Sequence, residues 1–295
     1  MQSADFLSAV FFYLKVGENL NQNWIVENLN NAFSTWNGKL GELWGLVTTG
    51  PQTFKGGAVW SVMQTLHNGM VGIGYALVVL FFAISLCKNT MNFHELKRPE
   101  AAIHYFLRFV AAKTLVGYGM DIMLNVFSIC NGIVTDMADS MGGISEAMVS
   151  LPAEMQTAIK NVGFLASIPL WLVTILGSLF ITVLSFVMIL TVYGRFFRLY
   201  MYTALAPLPL AAFAGESTQS VGISFLKSYV GVCLEGAVIV LACVIYSAFV
   251  STPTVASGEA TTIVWSYLAE TVFNMLVLVG LIKGSDRIIH EMMGL

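Results

Sequence analysis

Long uncharged, apolar stretches alternate with short polar connections along the chain. Five of these stretches are long enough to cross the hydrocarbon core of a bilayer as helices, which takes about 20 residues each. They lie at about 60–87, 105–135, 169–193, 228–250 and 263–283. The pattern therefore predicts an all-α, polytopic membrane protein with five transmembrane helices, and it assigns residues 56–295 to the membrane domain.

A sixth apolar stretch, 199–217, contains Pro207 and Pro209. Each proline removes an amide donor and disrupts a helix. If this stretch crossed the membrane, Lys227 and the basic residues near the C-terminus would lie outside, against the positive-inside rule. We therefore expect a Pro-broken re-entrant or interfacial element that returns to the cytoplasmic side. Irregular backbone at that depth needs protein or a water-filled cavity beside it.

The few charges then orient the chain. With 199–217 re-entrant, basic residues concentrate on the cytoplasmic side, which holds Lys88, Lys97, Arg98, Arg108, Lys113, Arg195, Arg198, Lys227, Lys283 and Arg287. This distribution predicts an N-terminus outside and a C-terminus in the cytoplasm.

Residues 1–55 are predicted to form an extracytoplasmic region of amphipathic helices. Apolar residues recur there at helical spacing and share one face, namely Ile25, Leu29, Phe33, Trp36, Leu40, Leu43 and Val47. Two interpretations stay open. The helix lies on the outer leaflet, or it packs against neighbouring copies or an extracellular partner, with Gly38, Gly41 and Gly45 allowing close approach.

Composition narrows the class of protein. Only 11% of the 295 residues are charged and 57% are hydrophobic, which excludes an ordinary soluble enzyme. The net charge of −3 gives no overall cationic footprint for nucleic acid. The four cysteines lie in apolar runs without metal-ligand spacing, so we expect buried, inert thiols. No catalytic group, metal site or cofactor site is predicted.

Three acids fall inside predicted spans: Asp121, Glu235 and Glu270. An ionisable group there costs about 2.5–3.5 kcal/mol on insertion scales, so it usually faces protein or water. Three interpretations stay open. The first is structural, an interhelical hydrogen bond or a protonated carboxyl at an interface between subunits; the second is the lining of a conduit; the third is a proton or cation relay. Asn125, one turn after Asp121, can likewise line a conduit or hydrogen-bond across helices.

Basic residues at the predicted cytoplasmic edge form two pairs, Lys97 with Arg98 and Arg195 with Arg198. The second pair is typical of an interface anchor. All four residues are also candidates for docking a cytoplasmic ATPase.

Several of these features occur together in one known family. They are the run Asn23–Asn30, the stretch Phe93–Pro99 within a basic loop, the Arg195-x-x-Arg198 edge and the Ala-Pro-Leu-Pro-Leu-Ala element at 206–211. In this order the chain resembles the TrbL-like polytopic inner-membrane subunit of conjugative type IV secretion systems, most closely the versions from Gram-positive conjugative elements. The resemblance extends over essentially the whole chain.

The resemblance implies a non-catalytic subunit of the bacterial cytoplasmic membrane that is embedded in lipid and oligomerises around a transfer path. The implied partners are an assembly ATPase, a coupling ATPase, a bitopic scaffold protein and a cell-wall hydrolase. The transient substrate would be single-stranded DNA with its attached relaxase. The alternative function is an ion- or proton-coupled transporter of small solutes that uses the intramembrane acids.

Overall fold

The computed structural model describes the backbone of residues 2–90, 99–140, 148–162, 164–249 and 260–294. The helices are α1 Gln2–Thr48, α2 Ala58–Thr90, α3 Pro99–Gly117, α4 Gly119–Ser140, α5 Ala153–Lys160, α6 Phe164–Leu205, α7 Pro207–Ala211, α8 Gln219–Phe249 and α9 Ala260–Met293. Short 3-10 turns occupy Phe54–Gly57 and Ala212–Ala214. No strand occurs in these ranges, which confirms the predicted all-α class.

Four segments of the described chain are long and apolar enough to cross a membrane. They are Phe54–Lys88, Ser167–Leu205, Gln219–Phe249 and Thr262–Met293, and they contain four of the five predicted spans. The predicted span 105–135 is not among them. It is divided at Tyr118 between α3 and α4, and the polar residues Asp121, Asn125 and Asn131 lower the hydropathy of α4. The count of five spans therefore stays a prediction.

The proline break lies later than the sequence predicts. Residues 199–205 continue α6, so the irregular element begins after Leu205 rather than at residue 199. The short helix α7 packs against α2 and α3, and Pro207, Leu210 and Ala211 are buried. This broken backbone thus has the protein cover that such segments require. Re-entry from the cytoplasmic side stays a prediction.

Gly74 allows α7 to approach α2 closely. A Cβ atom at this position would lie 2.9 Å from Cγ1 of Val116 and 3.0 Å from both Cβ and the carbonyl oxygen of Pro207. Gly72, two residues earlier, has nothing within 4 Å of the same virtual atom. The glycine at 74 is therefore required by the contact among α2, α3 and α7.

The chain divides into two compact units. Unit 1 contains Met1–Trp44, Met141–Thr191 and Leu241–Lys283, and unit 2 contains Gly45–Ser140, Val192–Val240 and Gly284–Leu295. The predicted domain boundary between residues 55 and 56 does not coincide with this division. Residues 1–44 share a unit with parts of three candidate spans.

The predicted apolar face of α1 is buried along its whole length. All seven residues of the face are 0–2% exposed. In unit 1 this helix packs against α6 and α9. The amide of Asn28 donates to the hydroxyl of Ser178 at 3.0 Å, and Phe33 meets the ring of Tyr267 edge-on. Neither interpretation from the sequence describes this arrangement, because the face is covered by the chain's own helices.

The glycine side of α1 is open. A Cβ atom at Gly38, Gly41 or Gly45 would meet nothing within 4 Å. Packing of a neighbouring copy against this side stays a prediction.

Candidate functional site

Arg195 is the largest charged group buried in unit 2. Its side chain is 0% exposed, and its guanidinium donates to three carbonyl oxygens: Val232 at 3.3 Å, Cys233 at 3.1 Å and Val47 at 3.4 Å. Val47 lies in the last turn of α1, where carbonyl groups lack helical partners and the helix dipole attracts a cation. Arg195 therefore fastens the end of α1 to α6 and α8.

Gly236 provides the space for this guanidinium. A Cβ atom at residue 236 would lie 2.7 Å from Nη1 of Arg195 and 2.9 Å from both Cζ and Nη2. On another side, the guanidinium carbon lies 6.0 Å from the ring centroid of Phe127. The arginine is therefore held between α8 and an aromatic ring of α4.

This placement corrects the prediction for Arg195. A buried guanidinium that is bonded to three carbonyls is not a surface anchor and is not available to dock an ATPase. The predicted partners Lys97 and Arg98 lie outside the described residues. Docking through Arg198, whose side chain is 29% exposed, stays a prediction.

Arg198 joins three helices through a cluster of charges. Its Nη2 atom donates to both carboxylate oxygens of Glu235, each at 2.7 Å. Its Nη1 atom donates to the carboxylate of Asp286. Ser285 adds a hydrogen bond to Oε1 of Glu235 at 3.2 Å. Glu235 of α8 thus forms hydrogen bonds to side chains of α6 and α9. This is the structural interpretation, a hydrogen bond between helices, among those that the sequence left open.

The contacts of α6 also bear on the predicted topology. The hydroxyl of Tyr200 donates to the carbonyl of Pro51 at 2.8 Å, and the ring of Phe54 stacks on Phe196 with centroids 4.0 Å apart. The charge pattern predicts residues 51–55 outside and residues 195–198 at the cytoplasmic edge. Segments in direct contact do not lie on opposite sides of a bilayer, so these two assignments are inconsistent.

The remaining polar residues predicted for the site, Asp121, Asn125 and Glu270, lie at the surface. Asp121 and Asn125 are exposed on α4 and line an open cavity of about 530 Å³ in unit 2. Glu270 is exposed on α9 and belongs to unit 1. The structure therefore brings Asp121 and Asn125 together, whereas Glu235 belongs to the separate charge cluster of Arg198.

A family model described as "TrbL/VirB6 plasmid conjugal transfer like protein" matches residues 36–207. The match covers more than half of the chain. The chain belongs to this family. The predicted resemblance to the TrbL-like family is thereby confirmed over residues 36–207. No curated protein and no solved structure matches the chain.

The TrbL/VirB6-like match contains only part of the site. It includes Asp121, Asn125, Arg195 and Arg198, and it ends at Pro207. Glu235, Gly236 and Asp286 follow it. Asp286 and Ser285 were missed from the sequence because neither lies in an apolar context that would single it out.

The thiols of this TrbL/VirB6-like chain mostly follow the prediction. Cys130, Cys233 and Cys243 are buried, whereas Cys87 is exposed near the end of α2, so the expectation of burial was wrong for that residue. Within the part of the chain that is described, no three His, Cys, Asp or Glu side chains converge to hold a metal ion.

Proposed function

We propose that this chain is a non-catalytic channel or platform subunit of a conjugative type IV secretion system. It oligomerises and helps to translocate single-stranded DNA with its relaxase across the bacterial cytoplasmic membrane. The family match over residues 36–207 carries this proposal, and four apolar helices support a multi-pass membrane subunit.

The exposed surface of α4 supports a path that is built by assembly. Asp121, Asn125, Ser128 and Gly132 recur at helical spacing on one face, and all four are exposed. Polar groups of a membrane protein are stable against water or another subunit rather than against lipid. This face therefore suits either the lining of a conduit or a contact between copies.

Other surfaces suit the lipid and protein partners. Val79, Leu80 and Ile84 are exposed on α2, as expected for contact with membrane lipid. The ATPases, the bitopic scaffold protein and the cell-wall hydrolase are proposed as partners because of the family resemblance alone. Lys283 and Arg287 support a cytoplasmic C-terminus. We keep an N-terminus outside as part of the proposal, but residues 51–55 then belong with 195–200 on the cytoplasmic side, because Pro51 and Phe54 contact α6 there.

The geometry of Glu235 weighs against the alternative of a proton-coupled transporter. A relay needs carboxylates that exchange protons with water along one path. Glu235 is 1% exposed and both of its oxygens accept from Arg198. This arrangement suits a structural tie between helices.

Deletion of the gene in a donor cell tests the proposal. We expect conjugal transfer to fall to background while nicking of the transfer origin by the relaxase continues, because the subunit acts after DNA processing. Transfer frequency and nicked DNA are measured in the same cells, with the gene restored in trans as the control. Normal transfer in the deletion strain would contradict the proposed role.

A further inference from the structure

The cavity beside α4 is a separate feature of unit 2. Its volume of about 530 Å³ lies in the range of small-ligand pockets, roughly 300–1,000 Å³. Polar side chains from α4 and from the loop after α1 line it, namely Gln52, Asp121, Asn125, Ser128 and Asn131. Leu124 and Phe127 supply apolar wall. The Arg195 and Arg198 clusters do not use these polar groups.

The charge of the cavity is negative and unbalanced. Asp121 is the one charged residue in its lining, and it forms none of the ion pairs found among the described residues. An anionic ligand would therefore meet repulsion, whereas a cation would gain a charge-assisted hydrogen bond.

Further oxygen acceptors line the cavity beside Asp121. Asn125 and Ser128 of α4 are both exposed there, and their side-chain oxygens can accept from N–H groups. The amide of Asn131 is held by the backbone instead, because its Nδ2 atom donates to the carbonyl of Thr48 at 3.2 Å. The site therefore suits a cation that carries several N–H donors.

We propose that this cavity binds an alkylammonium or guanidinium group. The carboxylate of Asp121 pairs with the positive charge, and amide and hydroxyl oxygens of the lining accept hydrogen bonds from the remaining N–H groups. Leu124 and Phe127 pack against the alkyl stem, as apolar surfaces do for lysine and arginine. The group comes from a free amine or from a basic side chain of another subunit. The cavity shares Asp121, Asn125 and Ser128 with the polar face of α4 described above, but its affinity for a cation is measured without any secretion activity.

Binding is tested on the full chain in nanodiscs of zwitterionic lipid. The probes are n-butylammonium and n-butylguanidinium, with neutral n-butanol as control, and ligand-observed NMR gives the Kd. We expect Asp121→Asn to raise the Kd of both cations about three- to fivefold, because a charge-assisted bond in a solvent-exposed site is lost. Asp139→Asn changes an exposed acid of the same helix outside the cavity, and we expect a change within about twofold. Equal binding by the wild type and Asp121→Asn, or equally tight binding of n-butanol, would overturn the proposal.

Carbodiimide treatment of donor membranes distinguishes the two sources. A basic side chain gives an Asp121–lysine cross-link to another polypeptide, identified by mass spectrometry. A free amine gives a small-molecule amide at Asp121. Both results support the site. A guanidinium forms no amide, so it is recognised by protection of Asp121 from the reagent. Reaction of Asp121 with the carbodiimide alone to the same extent as Asp139, with no amide at Asp121, would count against the site. A strain that lacks conjugal transfer activity serves equally well, so this test is separate from the test of function.

Discussion

Replacement of Arg198 by alanine is expected to lower the free energy of unfolding by about 3–5 kcal/mol. The substitution leaves the carboxylate of Glu235 buried without its cation, and breaking a buried ion pair from one side carries a penalty of this size. Chemical unfolding of the full chain in mixed micelles measures the change. The ties from α6 to α8 and α9 are lost together, so one substitution affects three helices.

Arg287→Ala provides the matched control. Arg287 pairs with Glu291 one turn away, and both side chains are largely exposed, at 86% and 65%. Such pairs contribute about 0.3–0.5 kcal/mol, so we expect a small effect. Simultaneous replacement of Arg198 and Glu235 by methionine should recover much of the loss, because no buried charge remains. Equal effects of Arg198→Ala and Arg287→Ala would show that the cluster contributes nothing.

Gly236→Ala is expected to destabilise the chain by at least about 2 kcal/mol. The new Cβ atom would lie 2.7 Å from Nη1 of Arg195, so the guanidinium must shift, and its hydrogen bonds to the carbonyl oxygens are strained or broken. Overpacking costs about 1–3 kcal/mol, and hydrogen bonds to a charged group contribute about 1.5–3 kcal/mol. The same unfolding measurement detects the loss.

Gly280→Ala is the control for this substitution. Gly280 lies inside α9 with nothing within 4 Å of its virtual Cβ atom. Alanine there should be neutral or stabilising by up to about 1 kcal/mol, since it favours helix. A double-mutant cycle with Arg195→Met sharpens the test, because the cost of Gly236→Ala should largely disappear once the guanidinium is gone. Additive effects of the two substitutions would contradict the contact.

The amphipathic face of α1 was predictable at the level of single residues. Apolar side chains at helical spacing must be covered, so the sequence alone identifies Leu29, Trp36 and Leu43 as buried residues of this face. The pattern says nothing about what covers them. That information belongs to residues far along the chain, such as Ser178 and Tyr267, whose own sequence context does not point back to α1.

The contacts of the charged residue Arg195 could not be predicted from the sequence either. An arginine at the end of an apolar run is usually a membrane-interface anchor. Its burial here depends on the carbonyls of Val47, Val232 and Cys233 and on the missing side chain of Gly236. None of these is visible as a motif, because any residue supplies a carbonyl and glycine is common in such helices.

The proline break was predictable in kind but not in position. Proline lacks an amide donor, so Pro207 and Pro209 had to interrupt the long apolar run. Ala206 nevertheless keeps helical dihedral angles, with φ −50° and ψ −39°, and α6 extends to Leu205. The effect of a proline on the preceding turn depends on packing, and here α2 and α3 hold that turn in place.

We propose that copies of this chain assemble around a transfer path. The most direct test is the number of copies in the particle that forms in transfer-competent donor membranes, counted by cryo-electron microscopy of the full-length chain after extraction into nanodiscs. We predict a closed ring of copies, with the exposed polar face of α4 turned toward the central path or toward the next copy. A chain that remains monomeric in a transfer-competent system would contradict it.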